Sequence, residues 1–478
     1  MEQFKKQYIN GEWVEGTGES MLENNNPYTG DLLYKYKSGS AEDVDKAYKA
    51  AKTAQPEWEA LLPSERGQYL EKLLQVMIEM EEDIRELLIK EGGSAPSKVD
   101  FEVNTSRAII KEAMTFPEHI EGKIIPSNIK DKKNYIIREA RGVIGVIAPW
   151  NVPFVLSLRS AIPAIATGNT VVLKPASDTP ASALMIAQMF EKAEFPPGVF
   201  NVVVGKGSEI GDSLTEHPIP SMISFTGSTE IGKHIAGIAA ESVTDVSLEL
   251  GGNNAMVVLE DANIEDAVNA AVFGTFFNAG QNCIRINRLV LLDGIYEDFK
   301  EKYVEAVKEI NVGDPNDPNT YYGPVINESQ RDQINKLVQD TIEAGATVEL
   351  EGRTEGNVIH PWILGDVTND MPTAANEVFG PAISLIRVQD EKEAIRVAND
   401  TDYGLSGAVF TEDRYHGMEV AKQIESGMVH VNDMTINDEP HVMFGGEKES
   451  GLGRFNGQWV KETFTRERWI SVQEKPRF

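Results

Sequence analysis

Val143-Ile-Gly-Val-Ile-Ala148 is a short apolar run that leads directly into Pro149-Trp150-Asn151. Four runs of the same kind follow along the chain, at residues 170–173, 200–204, 222–225 and 243–248. Segments of about 10 to 15 residues with helical patterns separate these runs, and this alternation is typical of a parallel α/β sheet. Because such sheets bind ligands at the carboxyl ends of their strands, the residues just after the runs are the candidates for function.

A second α/β alternation begins near Asn254. One predicted helix ends at residue 277, and two more cover residues 296–310 and 329–344. The predicted strands cover residues 255–259, 289–292, 347–350, 382–386 and 428–431.

The remaining segments are of other kinds. Residues 8–36 predict short strands, and residues 40–118 predict helices. A polar hairpin is predicted between Gly122 and Arg141, and the tail at 469–473 predicts an exposed strand. An unpaired strand edge of that kind usually finds a partner.

Length, composition and charge limit the class of protein. A chain of 478 residues is too long for one hydrophobic core and predicts two or three structural units. The 45 basic residues against 75 acidic ones give a formal charge of −30, which argues against nucleic acid or an anionic membrane as a partner. One cysteine allows no internal disulfide, and neither a signal peptide nor a membrane span is evident. We therefore expect a cytoplasmic protein, and no metal site is predicted.

The single cysteine, Cys283, ends the stretch Phe276-Phe-Asn-Ala-Gly-Gln-Asn-Cys283. A thiolate is a strong nucleophile near neutral pH, whereas a buried thiol of no chemical use is the alternative. An apolar helical run breaks here into small and amide residues, so the cysteine does not continue an apolar face. Arg285 and Arg288 follow it, and cationic neighbours favour a thiolate.

Two polar residues follow strands of the first alternation. Asn151 follows the first apolar run, where its amide could donate to a developing oxyanion; a simple turn before a helix is the alternative. Glu249 follows the fifth run, where partial desolvation would raise its pKa toward that of a useful base. An exposed loop acid is the alternative for Glu249.

Two glycine-rich stretches come close to known phosphate-binding patterns without matching them. Residues 205–211 have one residue too many for the G-x-G-x-x-G fingerprint, and His234 stands where a P-loop requires Ser or Thr. Each stretch still leads into the N-terminus of a predicted helix, where a pyrophosphate could bind.

Gly280-Gln-Asn-Cys283, with Leu248-Glu-Leu-Gly-Gly252 upstream, resembles the nucleophile and base motifs of the aldehyde dehydrogenase superfamily. The resemblance extends over essentially the whole chain, from residues 9–13 to 444–454. It implies an α/β fold with a variant Rossmann cofactor domain, an α/β catalytic domain and a small β oligomerisation unit. The implied boundaries are 1–120 with 143–249 for the first, 250–444 for the second, and 121–142 with 445–478 for the third.

The resemblance also implies roles for the candidate residues. Cys283 would be the nucleophile, Asn151 and the Cys283 amide would form the oxyanion hole, and Glu249 would activate water. NAD or NADP would be the cofactor, an aldehyde the substrate, and a homodimer or homotetramer the assembly. The residues implied in cofactor binding are Ile147, Pro149, Trp150, Lys174, Ser177, Gly207, Gly211, Phe225, Gly227, Ser228, Leu250, Glu377 and Phe379.

Ser177 bears on the choice of cofactor. NAD-preferring relatives often carry a glutamate at this position, which binds the ribose hydroxyls and repels a 2′-phosphate. Ser177 removes that repulsion, so we expect both NAD and NADP to be used.

The substrate is predicted from the segment at 431–441, which resembles the branch that oxidises benzaldehyde and vanillin. Residues 432–444 should border the substrate funnel, where Asn437 or His441 could bond ring hydroxyls, and Arg159 is expected to be a solvated helix residue. The residues expected to contact the substrate are Val152, Leu156, Met434, Ile436 and Phe444.

Other functions stay open from the sequence. An aliphatic or semialdehyde dehydrogenase, a CoA-acylating relative, a cofactor-independent thiol hydrolase and a non-catalytic paralogue are the alternatives. Three residues depart from the pattern that the resemblance implies: Met443, Arg285 and Arg466. The last stands where some relatives carry a second acid, which puts an auxiliary proton relay in doubt.

Overall fold

A computed structural model describes residues 2–478, and the side chains from residue 4 onward. The strands are β1 Gln7–Ile9, β2 Glu12–Val14, β3 Met21–Asn25, β4 Leu32–Lys37, β5 Lys123–Ile125, β6 Lys132–Ala140, β7 Val143–Ile147, β8 Thr170–Lys174, β9 Phe200–Val202, β10 Met222–Thr226, β11 Asp245–Glu249, β12 Asn254–Val258, β13 Ile286–Leu292, β14 Thr347–Leu350, β15 Thr354–Glu355, β16 Val358–Ile359, β17 Trp362–Gly365, β18 Ala382–Val388, β19 Tyr403–Gly404, β20 Ser406–Phe410, β21 Met428–Val431, β22 Glu447–Lys448, β23 Gly451–Leu452 and β24 Thr465–Gln473. The helices are α1 Ala41–Ala60, α2 Pro63–Glu79, α3 Glu81–Gly92, α4 Pro96–Ala113, α5 Pro153–Ala166, α6 Pro180–Lys192, α7 Gly207–Thr215, α8 Thr229–Ser242, α9 Ile264–Phe276, α10 Tyr296–Lys308, α11 Glu328–Glu343, α12 Pro372–Ala375, α13 Glu391–Asn399, α14 Arg414–Ala421 and α15 Gly457–Thr463.

The first sheet has the strand order β2-β1-β9-β8-β7-β10-β11-β23. Its central strands, β7 to β11, run parallel, as the five apolar runs predicted. Every residue of helix α5 is buried, because its apolar sequence is enclosed by neighbouring helices and by the sheet. This helix begins directly after Asn151 and Val152, so the carboxyl end of β7 is fixed by a fully packed element.

The second sheet has the order β14-β17-β18-β13-β12-β20-β21, and all of its strands except β14 run parallel to their neighbours. Strands β17 and β20 were not predicted, since their sequences, Trp-Ile-Leu-Gly and Ser-Gly-Ala-Val-Phe, are short and contain glycine. The prediction of an α/β fold with two alternations is confirmed.

A third sheet has the order β24-β6-β5 and contains both the predicted polar hairpin and the predicted tail strand. Strands β6 and β24 pair antiparallel over their full length, from Thr465 opposite Ala140 to Gln473 opposite Lys132. Strand β23, which lies in the same C-terminal segment, instead pairs with β11 at the edge of the first sheet. The domain boundaries given above stay a prediction.

In the described part of the chain, no helix has both the length and the apolar composition that crossing a membrane requires.

Candidate active site

A cavity of about 240 Å³ lies at the carboxyl ends of β7, β10 and β11. Such a place is expected for a ligand site in a parallel sheet. Ten residues singled out from the sequence line it: Pro149, Trp150, Asn151, Leu156, Gly227, Ser228, Glu249, Cys283, Glu377 and Phe379. Residues from both parallel sheets therefore meet around one space.

The cysteine is presented by a tight turn that follows helix α9. Asn278 and Ala279 have φ values of +57° and +55°, a conformation that non-glycine residues rarely adopt. The Asn254 side chain then donates to the carbonyl oxygens of Cys283 (2.8 Å) and Arg285 (2.7 Å). A Cβ atom at Gly252 would lie 2.4 Å from the Cys283 carbonyl oxygen, so this close approach requires glycine.

The electrostatic surroundings of Cys283 keep its thiol protonated. Burial and the negative charge of Glu249 raise its pKa well above the ordinary value, while Arg159 acts in the opposite direction. The expected influence of Arg285 and Arg288 is wrong. Both guanidinium groups are buried and donate to other groups, Arg285 to the Ala382 carbonyl and Arg288 to the carbonyls of Asn253, Val397 and Ala398.

Glu249 ends β11 and is 2% exposed. Burial raises its pKa to about 7, and the neighbouring Cys283 thiol and Arg159 guanidinium oppose that rise. The prediction of a desolvated carboxylate with a raised pKa is confirmed. Its Oε1 atom has no hydrogen-bond partner among the described residues, so the carboxylate can accept from a group that enters the cavity.

Asn151 is held between β7 and the turn that carries the cysteine. Its side-chain amide donates to the Gln281 carbonyl (3.2 Å), and its own carbonyl accepts from the Asn278 side chain (3.2 Å). In the described part of the chain the Cys283 backbone N–H has no acceptor. Two donors, the Asn151 amide and the Cys283 N–H, therefore belong to one braced segment.

A buried ion pair on helix α4 holds the start of helix α5 in place. Glu102 accepts from the Phe154 backbone N–H (3.1 Å) and lies 3.1 Å from the ammonium of Lys98. Because the residue before the helix makes no side-chain cap, this carboxylate satisfies a backbone donor of the first turn. The position of Asn151, two residues before the helix, follows from that anchoring.

On the opposite side of the cavity lie Glu377 and Phe379. The Gly252 N–H donates to Glu377 (3.0 Å), while burial and the charge of Glu249 help to raise the Glu377 pKa to about 8. Phe379 has a φ of +49°, which is unusual for a bulky residue. Its ring packs edge-on against Trp150, with 5.4 Å between ring centroids.

The profile of the aldehyde dehydrogenase family matches residues 13–470.
The chain belongs to that family. Vanillin dehydrogenase of Corynebacterium glutamicum is 48% identical over 471 residues, which cover 98% of this chain and 97% of that protein. Benzaldehyde dehydrogenase YfmT of Bacillus subtilis is 48% identical over 477 residues, which cover 100% of this chain and 98% of that protein. The crystal structure of an NAD-dependent benzaldehyde dehydrogenase from C. glutamicum has a TM-score of 0.91 and 44% identity, with 98% of each chain covered.

Other predicted cofactor residues of this aldehyde dehydrogenase lie outside the cavity lining. Lys174 is buried at the end of β8, and its ammonium donates to the Pro175 carbonyl (3.0 Å); burial lowers its pKa to about 8. The Ser177 hydroxyl donates to the Gly205 carbonyl at 3.4 Å, which places it beside the loop before α7. A Cβ atom at Gly207 or Gly211 would meet nothing within 4 Å, so the start of α7 is open.

Three further predicted cofactor residues are structural neighbours of the cavity. Ile147 is half-buried at the end of β7. The Phe225 ring lies beneath Gly227, where a Cβ atom would come within 2.5 Å of it. The Leu250 side chain packs against Gly232 of α8 and not into the cavity.

The predicted substrate residues share one apolar cluster. Val152, Leu156, Ile436 and Phe444 are buried in it, and Met434 and Cys283 pack against it. Asn437 is bonded locally to Asp433 and the Met434 carbonyl, and the His441 side chain is 63% exposed. Of these predicted substrate residues, Leu156 alone is among those that line the cavity at Cys283.

The expectation for Arg159 is wrong. Its side chain is 5% exposed, forms an ion pair with Asp438, and lies over the Phe444 ring with 4.4 Å between the guanidinium carbon and the ring centroid. The apolar packing of α5 encloses the stem, and Asp438 supplies the counter-charge that allows burial.

Sequence reasoning missed Gln330 and Gln333, which line the cavity from helix α11. Glutamine on an amphipathic helix is an ordinary surface residue, so the sequence carries no signal for this placement. The departure at Arg466 lies on β24, where it faces Glu139 (3.8 Å) and is remote from the cavity lining.

Proposed function

We propose that this aldehyde dehydrogenase oxidises aromatic aldehydes of the benzaldehyde and vanillin type to carboxylic acids, with NAD or NADP as cofactor. The observation that carries the proposal is the meeting of Cys283, Glu249 and Asn151 around one cavity that Glu377 and Phe379 also line. The relatives named vanillin and benzaldehyde dehydrogenase, each 48% identical over nearly the whole chain, support the aromatic substrate class.

The first step is attack of the Cys283 sulfur on the aldehyde carbon. The carbonyl oxygen gains negative charge as the C–S bond forms, and the Asn151 amide and the Cys283 N–H are the donors placed to stabilise it. The thiol gives up its proton to solvent water, and the charge of Arg159, which acts to lower the Cys283 pKa, favours the thiolate. Removal of one of these donors from an oxyanion hole typically costs about 10² to 10³ in rate.

The residues on the other side of the cavity fit a dinucleotide. Glu377 offers a carboxylate for ribose hydroxyls, and Phe379 and Trp150 offer aromatic surface for a flat ring. The start of α7 is open and has no side-chain cap from the residue before it, so its first backbone N–H groups suit phosphates. NAD or NADP bound here would accept the hydride that the aldehyde carbon loses.

Glu249 is placed to activate the water that releases the acid. With a pKa of about 7 its carboxylate is both present and basic near neutral pH. The unpaired Oε1 gives a water molecule a hydrogen-bond acceptor beside Cys283. Hydrolysis of the Cys283 thioester regenerates the thiol and yields the carboxylic acid.

An aromatic ring suits the apolar cluster beside Cys283. Leu156 lines the cavity at Cys283, and Val152, Ile436, Phe444 and Met434 belong to or pack against the same hydrophobic core. A planar ring is buried without freezing internal rotors, so it should bind better than a flexible aliphatic chain of similar area.

The test is kcat/KM for benzaldehyde and vanillin against hexanal and acetaldehyde, with each cofactor. We expect a clear preference for the aromatic pair. A preference for the aliphatic pair would contradict the substrate class and leave the chemistry of Cys283 unaffected.

Two rival functions are tested in the same assay. A cofactor-independent thiol hydrolase would consume ester without NAD or NADP, and a CoA-acylating enzyme would require CoA for turnover. The placement of Glu249 beside Cys283 supports hydrolytic release over transfer to CoA, because transfer to CoA needs no water-activating base.

We also propose that the third sheet joins copies of this chain into a homodimer or homotetramer. Its outer strands carry exposed apolar side chains, namely Ile124, Ile125, Trp469, Ile470 and Val472. An unpaired edge with apolar residues favours pairing with another chain. Sedimentation of the Ile470→Lys variant should show smaller particles than the wild type, and an unchanged mass would contradict this interface.

The division of the chain into a cofactor domain, a catalytic domain and this third unit is part of the same proposal. A cytoplasmic location, which the single cysteine favours, likewise stays a proposal.

A further inference from the structure

The ion pair of Arg159 and Asp438 is a strongly buried charge pair next to residues predicted to contact the substrate, and the proposed chemistry does not use it. Both side chains are 5% exposed. Arg159 lies one turn after Leu156, which lines the cavity at Cys283, and its charge acts on both Cys283 and Glu249. Asp438 comes from the loop between β21 and β22, 279 residues away in sequence.

Asp438 is held in place independently of the arginine. The Asn456 side chain donates to its Oδ1 atom (2.9 Å) and to the Glu439 carbonyl (3.1 Å). Asn456 itself has a φ of +67°, so its backbone is held in a conformation that non-glycine residues rarely adopt. The carboxylate is thus positioned by a separate element and aimed at the guanidinium.

Two cavities are lined by the pair or by residues close to it in the chain. Leu156 lines the cavity at Cys283, whereas Asp438 and Phe444 line a second cavity of about 340 Å³. A substrate whose aldehyde group is at Cys283 and whose far end points toward the second cavity would pass this pair. Its far end would meet Arg159, whose positive charge is already paired with Asp438.

We propose that Asp438 occupies the place of a substrate carboxylate on Arg159 and thereby restricts the site to aldehydes that carry no carboxylate. A second carboxylate near Asp438 would meet like-charge repulsion from a carboxylate that already accepts from the Nη2 atom of Arg159. An aldehyde without that charge can rest on the apolar cluster at no such cost. This specificity rests on the proposed function, because it concerns the same substrate site.

The first test uses the wild type with two substrates of the same shape, 4-carboxybenzaldehyde and 4-carbamoylbenzaldehyde. We expect kcat/KM for the carboxylate to be lower by about tenfold or more, since only charge separates the two compounds. Equal values would overturn the proposal without any variant. Succinic semialdehyde against butanal repeats the comparison on a short flexible chain.

The second test uses Asp438→Asn, which frees the guanidinium while keeping the size of the side chain. We expect the carboxylate-to-amide ratio of kcat/KM to rise by about tenfold or more. The double variant Arg159→Gln/Asp438→Asn is the matched control and should lose this gain. A ratio unchanged in Asp438→Asn, or a gain kept by the double variant, would overturn the assignment.

Stability provides a readout other than turnover. Removal of one partner leaves a buried cation, so Asp438→Asn should have a lower Tm than the wild type. Sodium formate should raise the Tm of Asp438→Asn, against a sodium chloride control at equal ionic strength, and should leave the wild type and the double variant unchanged. Failure of the aromatic preference would appear separately, in the wild-type comparison of benzaldehyde with hexanal.

Discussion

The substitution Glu249→Gln separates the two halves of the proposed reaction. Glutamine keeps the size of the side chain but removes the negative charge and the basicity. In the wild type, that charge is one of the causes that raise the pKa of Cys283. Its removal should therefore ease thiolate formation, while water loses the base that activates it.

The fall in steady turnover and the change in pH dependence can both be given an expected size. Loss of a general base typically costs about 10² to 10⁴ in rate, so steady turnover should fall by that factor. In the wild type, a base with a pKa of about 7 is about nine-tenths protonated at about pH 6, so kcat should fall about tenfold for each pH unit below 7. The variant should lose this dependence on pH.

Rapid mixing of enzyme, NAD and benzaldehyde measures both halves. We expect a burst of about one reduced cofactor per active site in Glu249→Gln, followed by a slow steady rate. Cys283→Ala, the control, should give neither phase. Loss of the burst in Glu249→Gln would refute the reasoning, because it would make Glu249 necessary for the attack by Cys283 itself.

Three further predictions follow from the site. Cys283→Ala should abolish aldehyde oxidation and any esterase activity, and turnover above about a thousandth of the wild type would contradict its role as nucleophile. Ser177→Glu should shift the kcat/KM ratio toward NAD by about 1 to 3 kcal/mol through repulsion of the 2′-phosphate, and an unchanged ratio would show that Ser177 does not face the ribose. The pKa of Glu377 is raised to about 8, so between about pH 4.5 and 8 the native state keeps a proton that the unfolded chain has lost. The contribution of Glu377 to the free energy of unfolding is therefore full below about pH 4.5 and is lost as the pH rises through 8. Urea titrations from pH 5 to 8 should therefore show a smaller loss of stability in Glu377→Gln than in the wild type, and equal slopes would contradict the raised pKa.

The strands of the first sheet could be predicted because each is an apolar run bounded by turn residues. All five begin and end within two residues of the expected positions, for instance Thr170–Lys174 against 170–173. The candidate catalytic residues could be located for a related reason: Glu249 is the last residue of β11, and Asn151 lies in the segment that follows β7. Parallel strands end at the same edge, so residues far apart in sequence were expected to meet there.

The direction of the charged side chains could not be predicted. Arg285 is close to Cys283 in sequence, yet its guanidinium donates to the Ala382 carbonyl in the second sheet. Arg159, in contrast, is 124 residues before Cys283 and is the cation whose charge acts on it. Spacing along the chain does not predict which face of a packed helix turns toward the site. It also does not predict that a loop residue, Asp438, forms an ion pair with Arg159.

The two chemical requirements of the site conflict, and the arrangement of charges resolves the conflict. Burial gives Glu249 the pKa of a useful base, but the same burial opposes formation of the Cys283 thiolate. The two groups titrate as a coupled pair, so ionisation of one disfavours ionisation of the other. Once Cys283 is acylated its charge can no longer form, and Glu249 is then free to ionise at the moment when a base for water is needed. In the proposed reaction this desolvated pair thus supplies a nucleophile in the first half and a base in the second, and the charge of Arg159 opposes the rise of both pKa values.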